Sequence, residues 1–98
     1  MSKVGVVKVC LVAEVKDAER VKEKLPAMID NCRKHPGVVN VDFCEMVGDN
    51  TKYAIFGVFE NEDAYNKFHD SDRMKEIREK GKENYKGEWT AKKFKVLY

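Results

Sequence analysis

Residues 53–65 read Tyr53-Ala54-Ile55-Phe56-Gly57-Val58-Phe59-Glu60-Asn61-Glu62-Asp63-Ala64-Tyr65, and the change of rhythm inside this stretch sets the fold class. Up to Phe59 both alternating faces are apolar, which is the pattern of a strand covered on both sides. Asn61 followed by Glu62 and Asp63 then reads as a helix start. The Asn side chain can accept from free backbone amides, and the acidic pair sits at the positive end of the helix. Ala64, Tyr65 and Phe68 supply the buried side, so a strand over 52–60 runs straight into a helix.

Upstream, Gly48-Asp49-Asn50 is a hairpin signal that joins this strand to another over 38–47. Before that, His35-Pro36-Gly37 ends a helix, because Gly supplies the permissive backbone and Pro blocks continuation. Asp17 can cap this helix, which runs to about Lys34. Val21, Leu25, Met28, Ile29 and Cys32 form one apolar stripe, with Lys16, Glu19, Lys22, Glu23 and Lys24 on the wet side. Pro26 removes one backbone donor within this pattern, which predicts a kink near Lys22 rather than two helices. Residues 3–15 alternate as a strand with Gly5, Val7, Val9, Leu11, Ala13 and Val15 on one face. The other face, Val4, Val6, Lys8, Cys10, Val12 and Glu14, is also largely apolar and calls for cover.

Downstream, Asp70-Ser71-Asp72 breaks and restarts the second helix, and Met74 and Ile77 carry an apolar stripe towards Tyr85. Gly87 precedes a last strand from Trp89 to Tyr98. The order is α+β, ferredoxin-like β-α-β-β-α-β, in a single domain over 1–98. It gives a four-stranded antiparallel sheet with both helices on one face. The apolar second faces of strands one and three must then meet another sheet, and an identical subunit is the simplest supplier. A homodimer, a dimeric α+β barrel, is expected.

Composition removes several function classes. Nineteen basic residues against seventeen acidic leave a net charge of +2, no electrostatic basis for nucleic acid or an anionic membrane as main partner. RNA-recognition domains share this element order but stack bases on aromatics of strands one and three. Here strand three begins Lys52-Tyr53-Ala54-Ile55-Phe56, lacking the glycine and the first stacking aromatic of those domains, and strand one has no aromatic. The apolar run Val4 to Val15 is interrupted by Lys8 and Glu14 and falls short of the ~20 apolar residues of a membrane span. It carries neither a preceding basic region nor a cleavage site, so a cytoplasmic protein is expected. Cys10, Cys32 and Cys44 are odd in number and embedded in apolar periodic segments, as reduced core or interface thiols would be. Cys32-x-x-His35 offers two metal ligands at most, and no phosphate-binding glycine loop is present. No cofactor and no metal are expected.

Three local patterns carry a family resemblance. They are the junction Cys32-Arg33-Lys34-His35-Pro36-Gly37-Val38, the strand-to-helix stretch Tyr53 to Tyr65, and the segment Lys67-Phe68-His69-Asp70-Ser71-Asp72-Arg73-Met74. In order and spacing, the chain from Val9 to about Ile77 resembles the antibiotic biosynthesis monooxygenase domains. The resemblance implies a homodimer with a pocket between sheet and helices in each subunit. It also implies oxidation of a small aromatic or quinol-like substrate by dioxygen without metal or flavin. Relatives that degrade haem or isomerise small metabolites keep an isomerase, or a non-catalytic dimeric small-molecule binder, as alternatives. The sequence departs from the family where many members carry His, since Phe68 stands there with His69 displaced by one place, and Arg73 replaces a second usual His. Haem-degrading members use a Trp and a later His where this chain has Phe68 and Arg78, which speaks against haem.

Within that frame His69 is the candidate general base, since an imidazole titrates near neutral pH. Arg73, one helical turn on, is the candidate oxyanion partner. Phe56, Phe59, Tyr65 and Phe68 are expected to line a pocket for a flat aromatic ligand. The plainer alternative makes His69 a half-exposed flank residue and the aromatics ordinary core. Asn40 and Asp42 are polar residues on strand two that either position a substrate hydroxyl or lie at a wet edge. Lys92, Lys93 and Lys95 read as edge-strand charges.

Overall fold

The alternation of the N-terminal segment becomes strand β1 (Val7–Val15) in the computed structural model, which describes residues 4–86 and 91–98. Its odd-numbered residues Val7, Val9, Leu11, Ala13 and Val15 are buried, whereas Lys8 and Val12 are exposed. Helix α1 (Ala18–Arg33) follows, its first turn capped by Asp17, whose carboxylate accepts from the Arg20 amide at 3.1 Å. The helix continues as one segment through Pro26 and buries Val21, Leu25, Ile29 and Cys32. Strands β2 (Val38–Met46) and β3 (Asp49–Phe59) form the hairpin. Helix α2 (Glu62–His69) is capped by Asn61 and helix α3 (Asp72–Gly81) by Ser71, as the sequence pattern requires. A 3-10 turn (Lys82–Asn84), β4 (Tyr85–Lys86) and β5 (Ala91–Lys95) complete the order.

All strand pairs are antiparallel, in the order β2-β3-β1, with β4 and β5 both on the remaining edge of β1. β5 runs beside Val7–Leu11 and β4 beside Glu14 and Val15, so two pieces share the fourth place in the sheet. The expectation of one last strand from Trp89 to Tyr98 is thereby refined. A short strand precedes it, β5 ends at Lys95, and residues 87–90, Trp89 among them, lie outside the described residues. The hairpin is also tighter than its composition suggests. A register shift between Glu45 and Met46 lets β3 start at Asp49, leaving Val47 and Gly48 as the turn, with Gly48 at φ 88°.

The helices cover one face of this sheet. Phe59, 2% exposed, lies in the buried core, its ring 5.1 Å from those of both Tyr65 and Phe68. On the opposite face the register sets Asp42, Phe56, Cys10 and Lys92 in one row and Asn40, Val58, Lys8 and Phe94 in the next. Val12, Phe56 and Phe94 are exposed there at 51%, 46% and 57%. Among the described residues no helix is long and apolar enough to cross a membrane.

Gly37 joins the helical layer to the sheet. Its φ of 84° is unfavourable for residues with a Cβ, and a Cβ there would stand 2.6 Å from that of Ala64 on α2. Its carbonyl accepts from the Glu60 amide at 2.9 Å, so the segment cannot shift without losing that bond. Gly37→Ala is therefore expected to cost at least about 2 kcal/mol, combining left-handed strain with a backbone-level clash. An unchanged urea midpoint would contradict this account of the junction.

Candidate active site

The period of two along β3 decides which of its side chains meet the helices. Ile55, Gly57 and Phe59 point towards them and Phe56 points away. Between sheet and helices lies an open cavity of about 690 Å³. Leu11, Ile55 and Gly57 form its floor, and Met28, Ile29 and Cys32 of α1 line one side. Tyr65, Phe68 and His69 of α2, with Met74, Ile77 and Arg78 of α3, line the other. Gly57 matters to its shape, because a Cβ there would stand 2.8 Å from the Phe59 ring. The missing side chain lets that ring fold back over the floor.

Phe59, Tyr65, Phe68 and His69 thus lie together around the cavity, whereas Phe56 and Arg73 do not. Phe56 is three residues from Phe59, an odd step along a strand, so the two occupy opposite faces. By count Arg73 stands one turn beyond His69, but the helix does not continue through that turn. Ser71 donates to the Phe68 carbonyl at 2.7 Å and accepts from the Met74 amide at 3.3 Å. This break resets the helical phase. In α3 the inward residues are Met74, Ile77 and Arg78, at i, i+3 and i+4, and Arg73 is exposed.

His69 Nδ1 is 3.1 Å from an Asp70 carboxylate oxygen. A carboxylate only accepts, so Nδ1 is the donor in this contact. Asp70 is the orienting group that the sequence did not announce. The His69 ring lies 5.8 Å from that of Tyr65, and its side chain is 49% exposed. Lys93, from β5, reaches across with its Nζ 5.4 Å above the Tyr65 ring and 3.9 Å from Glu62. It serves the cavity rather than only the sheet edge, because alternation in β5 turns Ala91 and Lys93 to the helix side.

Other candidates fall outside. Asn40 and Asp42 lie on β2 on the outer face, where Asn40 donates to Asp42 at 3.0 Å and Arg33 pairs with Asp42 at 3.4 Å. His35 sets its ring edge-on to Phe68, centroids 5.4 Å apart, and its Nδ1 lies 3.0 Å from the Pro36 carbonyl. No group of three or more metal-ligating side chains occurs among the described residues. The Cys32 thiol faces Met74 sulfur at 4.0 Å, and burial pushes its pKa up against the nearby Arg73 charge, which makes it a poor thiolate nucleophile.

Burial also pushes up the phenols of Tyr65 and Tyr85, opposed at Tyr65 by the Arg78 charge. The unfolded chain releases such protons from about pH 10, before the folded one does. The native state then binds more protons, and stability falls as pH rises through this window. Lys22, raised by its bond to Glu45, acts with the same sign, since its stabilisation is lost as pH climbs past its folded pKa. The urea midpoint should drop between pH 9 and pH 11 (about one unit to either side of the free phenol), with phenolate absorbance appearing on unfolding. A flat midpoint across that window would contradict the assigned burial.

A family model described as antibiotic biosynthesis monooxygenase matches residues 11–80. None of the curated proteins matches the chain. Among solved structures, a Nitrosomonas europaea protein named for the same family superposes with a TM-score of 0.87 at 14% identity, covering 100% of this chain and 96% of its own. Rv0793 of Mycobacterium tuberculosis gives 0.82 at 20% identity, over 95% and 96% of the two chains. A mutant of SnoaB, a cofactor-independent oxygenase from Streptomyces nogalater, gives 0.83 at 10% identity, over 96% and 95%. At these identities the likeness speaks for the fold.

Proposed function

The chain belongs to the antibiotic biosynthesis monooxygenase family, and from that premise we propose that it is a cofactor-independent monooxygenase of a small aromatic or quinol-like molecule. The cavity carries this reading. It is apolar, aromatic-walled and about 690 Å³, with a carboxylate-oriented imidazole on its wall. That volume falls within the ~300–1,000 Å³ of pockets that enclose small ligands. SnoaB, alike in fold, is a cofactor-independent oxygenase.

His69 is the base in this proposal. Its Nε2 takes the proton of a phenolic hydroxyl while Asp70 holds Nδ1–H and stabilises the imidazolium that forms. The phenolate is the electron donor to dioxygen, so the substrate itself is the reductant. For a naphthol, substrate and dioxygen give naphthoquinone and water, with one oxygen atom in each product. Phe59, Tyr65 and Phe68 pack on the ring and keep water from the electron-rich anion. A second copy covers the outer sheet face at Val12, Phe56 and Phe94, completing a homodimer. A cytoplasmic setting suits the three free cysteines.

The test is oxygen uptake over a panel of naphthols, hydroquinones and anthrones. Uptake above the uncatalysed rate, unaffected by chelator and without added flavin, is expected for at least one member. If nothing in the panel bound or turned over, a non-catalytic binder would take the place of this reading.

A further inference from the structure

Arg78 and Lys93 reach the cavity wall, and no Asp or Glu lies among the described residues that line it. Lys93 is already engaged by Glu62 and by the Tyr65 ring. His69 is engaged by Asp70. Arg78 differs from both, because it forms no ion pair among the described residues. Its own helix offers none, since the positions three and four away are Met74, Lys75, Gly81 and Lys82. The neighbouring basic residues Lys80 and Lys82 do find carboxylates, at Glu76 and Glu79. Arg78 is also partly buried, so its charge is less screened than theirs.

A guanidinium does not deprotonate in a protein, and its planar fork matches a carboxylate with two parallel hydrogen bonds. With no ion-pair partner among the described residues, it favours an anion entering the cavity over a neutral molecule of the same shape. We propose that Arg78 is a specificity-determining residue that selects an aromatic acid, with the ring among Phe59, Tyr65 and Phe68 and the carboxylate on the guanidinium. This rests on the aromatic-binding reading of the same cavity. It adds the chemical class of the substituent. Arg78 acts close to Tyr65, where its charge opposes the effect of burial on the phenol.

Titration calorimetry with hydroxynaphthoate, its neutral carboxamide and α-naphthol tests both levels separately. The carboxylate should bind the parent protein about tenfold or more tightly than the amide, the scale of a charge-assisted bidentate pair. Arg78→Gln should abolish that preference, and Arg78→Lys should restore part of it. Equal affinity of carboxylate and amide for the parent would overturn the proposal, and this comparison needs no variant to fold. Retention of the full preference in a folded Arg78→Gln protein would overturn it as well. If the amide and naphthol bound and the carboxylate did not, the aromatic reading would stand and the acid selection fall. If none of the three bound, both would fall.

Discussion

Val12→Asp is expected to convert a homodimer into a folded monomer. At micromolar concentration sedimentation equilibrium should fall from twice 11.3 kDa to 11.3 kDa, with the far-ultraviolet circular dichroism unchanged. On the outer sheet face Val12 pairs with Ala54 of β3, and along β1 it falls between the stretch beside β5 and the stretch beside β4. In a single chain it is 51% exposed, and an aspartate there remains hydrated. Sealed beneath a second sheet, the same carboxylate is taken out of water, and a buried charge left unpaired costs about 3–5 kcal/mol. At roughly 1.4 kcal/mol per tenfold, that weakens association by about two to three and a half orders of magnitude. A parent protein that sediments as a stable monomer would contradict the assignment. So would a Val12→Asp dimer of unchanged affinity.

The second large effect is at the proposed base. His69→Ala should lower kcat on an accepted phenolic substrate by about 10²–10⁴, the usual worth of a positioned general base. Asp70→Asn should lower it less, because the imidazole remains and only its tautomer and orientation are loosened. Phe68→Ala provides the contrast. Phe68 is buried between Phe59 and His35, so truncation should weaken folding by about 3–5 kcal/mol and weaken binding without removing the proton acceptor. Full turnover in His69→Ala would remove the imidazole from the mechanism.

The layer structure was legible because it rests on periodicity. The odd residues of β1, the stripe from Val21 to Cys32 and the caps at Asp17, Asn61 and Ser71 each depend on neighbours a few places away. The cavity was legible only in part. Phe59, Tyr65, Phe68 and His69 could be grouped from the strand-to-helix stretch, but treating Phe56 as their companion ignored the odd step between it and Phe59. Arg73 failed for a related reason. Helical spacing was carried across Asp70-Ser71, where the chain leaves one helix and starts another with a new phase. Counting afresh from Ser71 brings Arg78 inward with Met74. Asp70 and Lys93 depend on tertiary geometry. The first orients its sequence neighbour only because of the turn after α2. The second reaches Tyr65 only because β5 returns alongside β1.

Central to this account is that dioxygen and the substrate alone supply the chemistry, inside the cavity beside His69. Turnover of a naphthol under isotopically labelled dioxygen measures this directly, with the quinone and the water both collected. One labelled oxygen is expected in each quinone formed, the other in water, with incorporation that falls with turnover in His69→Ala. Quinone formed without label, or labelled at the same rate with and without the protein, would contradict it.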